Sequence, residues 1–202
     1  MRGVGFLKGA LAALLCAVVL CAHAEEIEVR NVQLLPVEEG FALNADFAFD
    51  FAPRLAEMVA NGVPLYFLVE FELTRPRWWW FDEKAAAKRI QLRLSYHALS
   101  RHYRLSTGLL QQQFANLDEA LHVLRRLRSW VVIERTAPLA DANYEAALRM
   151  RLDTTQLPKP FQLSALTSRE LTLESGWKRF IFRPAVAPAP VEARDPKEAE
   201  SK

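Results

Sequence analysis

Cysteine is almost missing from this chain. The only two, Cys16 and Cys21, fall within the first 24 of its 202 residues. Beyond residue 24 there is therefore no disulfide, no thiol nucleophile and no thiolate metal ligand to draw on. Glycine is also scarce: of seven, Gly3, Gly5 and Gly9 lie in that same opening stretch, so no glycine-rich loop is available to cradle phosphate. There is no second long apolar run, no heptad array and no internal repeat, which excludes polytopic membrane, coiled-coil and collagen-like classes. Core material, by contrast, is plentiful. Half the residues (51%) are hydrophobic, with 12 Phe and 5 Trp, and that excludes disorder throughout.

The opening stretch reads as an address. A short basic start from Met1 to Lys8 leads into the unbroken apolar run Ala10 to Ala22, and Ala22-His23-Ala24 places small residues three and one before Glu25. This is the layout of a secretory signal peptide cleaved after Ala24. The run of 13 apolar residues falls short of the about 20 that a membrane span needs, so no transmembrane segment is expected once it is removed. Leu15 and Leu20 precede the two cysteines, which does not suit a lipoprotein site. Arg2 and Lys8 leave with the leader, so 26 basic residues fall to 24, matching the 24 acidic ones. A charge-balanced, exported chain is a poor nucleic-acid reader, and the expected compartment is the periplasm.

The opposite end carries Pro184, Pro188, Pro190 and Pro196 among Ala, Glu and Lys, without an aromatic residue. Such a segment buries too little to offset its ordering entropy, so residues 184–202 read as a disordered tail. Residues 25–183 then form a single β-rich domain. Period-two alternation dominates it. Phe41, Leu43, Ala45, Phe47, Phe49 and Phe51 make one face of a strand, with Glu38-Glu39-Gly40 as the preceding turn. Ile27 and Val29 are out of phase with Val32 and Leu34, which predicts a bulge near Asn31. Further alternation covers Leu65–Thr74, Arg89–Tyr96 and Tyr144–Asp153, with shorter strands at Tyr103–Thr107, Trp130–Glu134, Glu170–Glu174 and Lys178–Phe182. Two short helices are expected. One runs from Pro53 to a stop at Asn61-Gly62. The other is capped by Asn116 with Glu119 three residues on, carries the stripe Leu117, Ala120, Leu121, Leu124 and Leu127, and gathers Arg125, Arg126 and Arg128 at its end. The fold class is mainly β (α+β), an antiparallel sandwich-like body.

Catalytic constellations are missing. No Gly-x-Ser-x-Gly or His-Glu-x-x-His spacing occurs, so no catalytic residue, metal site or cofactor is assigned. His122 falls off the apolar stripe of its helix, facing water beside Asp118. His97 and His102 would face opposite sides of a continuous strand; only a tight turn at Leu99–Arg101 brings them together. Glu70 and Glu72 share one outward face, opposite a neighbour carrying Arg89 and Arg93, and read as a surface charge ladder. Leu157-Pro158-Lys159-Pro160-Phe161 reads as a rigid connector at an edge or crossover. The most unusual feature is Trp78-Trp79-Trp80-Phe81. On a strand these four would divide between two faces, and an exposed pair could stack on sugars, touch a membrane surface or anchor a partner; alternatively neighbouring loops cover both faces. Candidate contact residues are Trp78, Trp79, Trp80, Phe81, Tyr96, His97, His102 and Tyr103.

The stretch Arg93 to Leu105, then Leu152-Asp153 with Leu157-Pro158-Lys159-Pro160, then Glu174-Ser175-Gly176-Trp177 resembles an uncharacterised family of secreted proteobacterial proteins, a domain of unknown function sometimes called a proline-rich signal peptide protein. The resemblance implies a Gram-negative envelope location and transfers no activity or site. The expected role is a non-enzymatic binding or accessory module whose partner is an envelope protein or glycan. The alternative is a periplasmic hydrolase acting on envelope glycans. An enzyme calls for a concave pocket with converging acids, and a binding module for an aromatic patch or open sheet edge.

Overall fold

The computed structural model describes residues 27–76, 83–167 and 171–184. Among these the chain runs β1 (Glu28–Val37), β2 (Gly40–Ala48), α1 (Pro53–Ala60), β3 (Leu65–Arg75), β4 (Glu83–His97), β5 (His102–Thr107) and β6 (Leu110–Phe114). It continues through α2 (Leu117–Leu124), β7 (Arg126–Glu134), β8 (Tyr144–Leu152), a 3-10 turn (Thr154–Gln156), α3 (Lys159–Thr167) and β9 (Lys178–Phe182). The strands form two sheets, one ordered β1-β2-β7 and the other β6-β5-β4-β3-β8-β9, with every pairing antiparallel. The sandwich-like, mainly β expectation is met.

The layers form because the alternating faces have nowhere else to go. Leu43, Ala45 and Phe47 of the small sheet, Phe49 just past the end of β2, and Leu65, Phe67, Val69, Phe71 and Leu73 from β3 are all buried in one contiguous core; the expected strand thus ends before Phe49 and Phe51. Tyr144, Ala146, Leu148, Met150 and Leu152 of β8 join them, and Phe49 stacks on Phe67 with ring centroids 6.3 Å apart. Helix α1 crosses between the layers with Pro53 at its first position and Leu55, Met58 and Val59 buried, where a proline costs no hydrogen bond. Gly40 opens β2 where it meets β7. Its φ is +141°, and a Cβ there would stand 2.0 Å from the Ile133 carbonyl oxygen, so the two backbones approach this closely only because no side chain intervenes.

Both edge strands of the small sheet are bulged against β2. On β1 the register slips between Arg30 and Gln33, with Asn31 at φ 49°, as the change of phase predicts. On β7, Ala45 pairs with Leu127 and Leu43 with Trp130, so Arg128 and Ser129 together oppose Asn44; Ser129 has φ 53°. The Asn44 Oδ1 accepts the Ser129 N–H at 2.8 Å. The Asp46 carboxylate holds both bulges, accepting from Asn31 Nδ2 at 2.9 Å and from the Arg128 guanidinium. These hydrogen bonds, Asn31 first and Arg128 second, hold its pKa below the usual 3.8.

Four further expectations change. The second helix ends at Leu124, and Leu127, Arg126 and Arg128 belong to a strand that reaches back from the expected Trp130 to Arg126. Arg125 stops the helix: its Nη2 donates to the Phe49 carbonyl at 2.9 Å and its guanidinium lies 5.0 Å from the Phe49 ring centroid, tying the turn down before another helical turn can form. The proline connector runs directly into a third helix, with Pro160 in its first turn and Phe161 N–H donating to Pro158 O. Leu110–Phe114 forms a strand that its polar sequence concealed. Near Glu170–Glu174 only a single bridge, Arg151 with Glu174, occurs among the described residues.

Candidate functional site: an apolar groove between the layers

Three strands cannot cover six. On the β4-β5-β6 side α2 packs against β5 and β6, and between this helix, β7 and the sheet a groove of about 470 Å³ stays open. Its floor is the inward face of the large sheet, Ile90 and Leu92 of β4, Leu105 of β5 and Leu110 of β6; Val123, Leu127 and Trp130 wall the other side. The volume lies within the range of about 300–1,000 Å³ typical of small-ligand sites. The β7 bulge makes this wall. On a regular strand residues three apart point to opposite faces, and the extra residue returns Leu127 and Trp130 to the same side.

The polar part of the lining is uncharged or cationic: Thr107, Gln112 and Ser129, with His122, Arg126 and Arg128. None of the lining residues is acidic. Arg128 is committed to the scaffold, its Nη1 donating to the Ala45 and Leu127 carbonyls at 2.8 Å and its Nη2 to Asp46. His122 and Arg126 are exposed, and within the described residues neither makes a hydrogen bond; Arg126 stands opposite the Asp46 carboxylate in the β2–β7 register. The apolar tip of the β5–β6 hairpin stands beside the groove, with Leu109 fully exposed and Leu110 64% exposed.

The sequence-based candidates lie elsewhere. Trp78, Trp79, Trp80 and Phe81 fall outside the described residues, as do residues 1–26 and 185–202. Tyr96 pairs with Tyr103 and His97 with His102 across a tight turn, so the turn, rather than the continuous strand, describes this segment. The tyrosine rings meet at 4.9 Å and, partly buried, pack against the core. His97 Nδ1 accepts the Ser100 N–H at 3.3 Å and His102 Nδ1 meets the Ser100 carbonyl. No group of three or more His, Cys, Asp or Glu able to hold a metal occurs among the described residues.

The acids of β3 are engaged, Glu72 with the strand expected, β4, and Glu70 with the strand on the other side, β8. Glu70 is paired in register with Arg89, yet its carboxylate binds Arg149 at 2.7 Å and Arg151 at 3.3 Å on β8. Glu72 binds Lys84 at 2.8 Å, and Arg93 lies 5.8 Å from the Tyr66 ring centroid. Burial alone would raise the Glu70 pKa, but the two guanidinium hydrogen bonds outweigh it and hold the carboxyl below 4.5. A carboxylate held ionised in this way is a poor proton donor.

The groove escaped sequence reasoning because its apolar residues read as ordinary core and its polar ones, His122 among them, as surface. The one available signal was the switch of apolar spacing from helical to alternating around Arg125–Trp130, which marks where helix gives way to a bulged strand. No curated protein and no solved structure matches the chain. The match that does exist covers residues 24–181, nearly all of both sheets, and by it the chain belongs to the family described as Domain of unknown function (DUF4390).

Proposed function

We propose that this protein is an exported, non-enzymatic binding module of the cell envelope, and that it holds an elongated apolar group in the groove between its sheets. The observation that carries the reading is the lining itself: a concave apolar floor from Ile90, Leu92, Leu105 and Leu110 with no carboxylate beside it. Hydrolysis of glycans by paired acids calls for two converging carboxyl groups, and Glu70 and Glu72 lie on the other face of the large sheet in ion pairs. The basic start, apolar run and small-residue site of the first 24 residues support export.

A neutral apolar fluorophore such as N-phenyl-1-naphthylamine tests the groove. It is expected to bind saturably at one site per chain with enhanced emission. Val123 is half-buried on the wall of the groove, so Val123→Trp fills the space without opening the core. Near-ultraviolet circular dichroism checks that the fold survives, and in the folded variant binding is expected to fall at least ten-fold. Unchanged binding in that variant, or no saturable binding to the parent, removes the groove as the site.

A further inference from the structure

We infer that the occupant of this groove is a single-chain amphiphile with a carboxylate head, its hydrocarbon chain on the β4-β5-β6 floor and its head between His122 and Arg126. The inference rests on the groove being the binding site, and goes further in naming the chemistry of what it holds.

Three observations converge. First, the lining divides by polarity, with Ile90, Leu92 and Leu105 on the floor and His122 and Arg126 on the α2–β7 side; a ligand that satisfies both must be apolar along its body and anionic at one end. Second, the cations differ in availability. Arg128 is spent on two carbonyls and Asp46, whereas His122 and Arg126 make no hydrogen bond within the described residues, Arg126 feeling only the charge of Asp46 opposite it in register. A guanidinium offers a planar fork that matches a carboxylate in two parallel hydrogen bonds, and an imidazole adds one more N–H. Third, no lining residue is acidic, and the carboxylate next to Arg126, that of Asp46, is already held by Asn31 and Arg128, so the charge in the lining favours an anionic head over a cationic one. Leu109 and Leu110, exposed at the neighbouring hairpin tip, offer apolar surface where a chain passes between a lipid surface and the groove.

The test titrates the purified full chain with decanoate, dodecanoate and tetradecanoate, each below its micellar concentration. Dodecanol, dodecylphosphate and dodecyltrimethylammonium are titrated in parallel, all by displacement of the neutral fluorophore. The carboxylates are expected to displace it, tightening about ten-fold for each two methylenes added. Dodecanol is expected to bind about ten-fold more weakly than dodecanoate, and the trimethylammonium compound more weakly still. Arg126→Gln is expected to weaken dodecanoate about ten-fold and leave dodecanol unchanged. If alcohol and carboxylate bind equally and Arg126→Gln moves neither, the anionic head is wrong while the groove stands. If dodecylphosphate outcompetes dodecanoate more than ten-fold, the head is a phosphate and the carboxylate assignment falls. If no amphiphile displaces the fluorophore although the fluorophore binds, the chain assignment falls and an apolar partner without a head takes its place.

Discussion

Asp46 shows how one half-buried side chain sets the shape of a sheet. Its carboxylate spans β2 to reach Asn31 on one side and Arg128 on the other, and each partner belongs to a bulge with a residue in the left-handed region. Asp46→Ala leaves both bulges without their shared acceptor, at a cost of about 1–2 kcal/mol and a fall in melting temperature of roughly 2–8 °C. Because the folded-state pKa lies below that of the unfolded chain, the ionic part of this stabilisation is fully present above the ordinary aspartate range. It is lost as pH falls through the folded value. Thermal melts of the parent and Asp46→Asn are therefore expected to differ most near neutral pH and to converge once the solution is acid enough to protonate the folded-state carboxylate. A difference that stays constant down to pH 2 would show that the charge contributes nothing.

Helix α2 is short, and its cap carries much of its specification. Asn116 Oδ1 accepts the Glu119 N–H at 2.9 Å, and Asn116 Nδ2 donates to Glu119 Oε1 at 2.9 Å, while Ala120, Leu121 and Leu124 face the core. Asn116→Ala is expected to cost about 1 kcal/mol. Hydrogen exchange should then quicken in Leu117–Leu124 before it does in β3 or β8, and fluorophore affinity should fall as this wall loosens. Equal acceleration everywhere would instead mean that the helix opens only with the whole molecule. Elements whose own pattern decides their state were legible in the sequence: the β2 phenylalanine ladder, β3, β8, the Pro53 helix start and the Asn31 bulge. Others depended on distant contacts. Arg125 ends α2 by reaching the Phe49 carbonyl, 76 residues away. Glu70 chooses β8 over β4, which no local spacing encodes. Pro158 and Pro160 suit a loop and a helix start equally well, so the residues alone could not separate the two. The groove was hidden for a related reason, since a face left open by the unequal width of two sheets has the same alternation as a face that is covered.

For the molecule as a whole, the groove exists because a six-stranded sheet is opposed by three strands and one helix on its β4-β5-β6 side. No helix among the described residues is long and apolar enough to cross a membrane. The proposed export has a direct check. When the full-length gene product is expressed with a carboxyl-terminal tag in a Gram-negative host, the periplasmic fraction is expected to yield a chain whose amino-terminal sequence begins at Glu25. Recovery of the intact polypeptide from the cytosol, starting at Met1, would reject the leader and the compartment together.

The pairing of β2 with β7 also imposes an order in time. Ala45 and Leu127 are partners although 82 residues separate them, so a ribosome adding about 5–20 residues per second needs roughly 4–16 s to deliver the second after the first. Throughout that interval one edge of β2 stays unpaired, although β3 to β6 of the facing sheet have already been made. Nascent chains of this protein therefore pass through a half-built stage with an open strand edge far longer than a hairpin takes to close, and a holdase that covers unpaired edges has its window of action there.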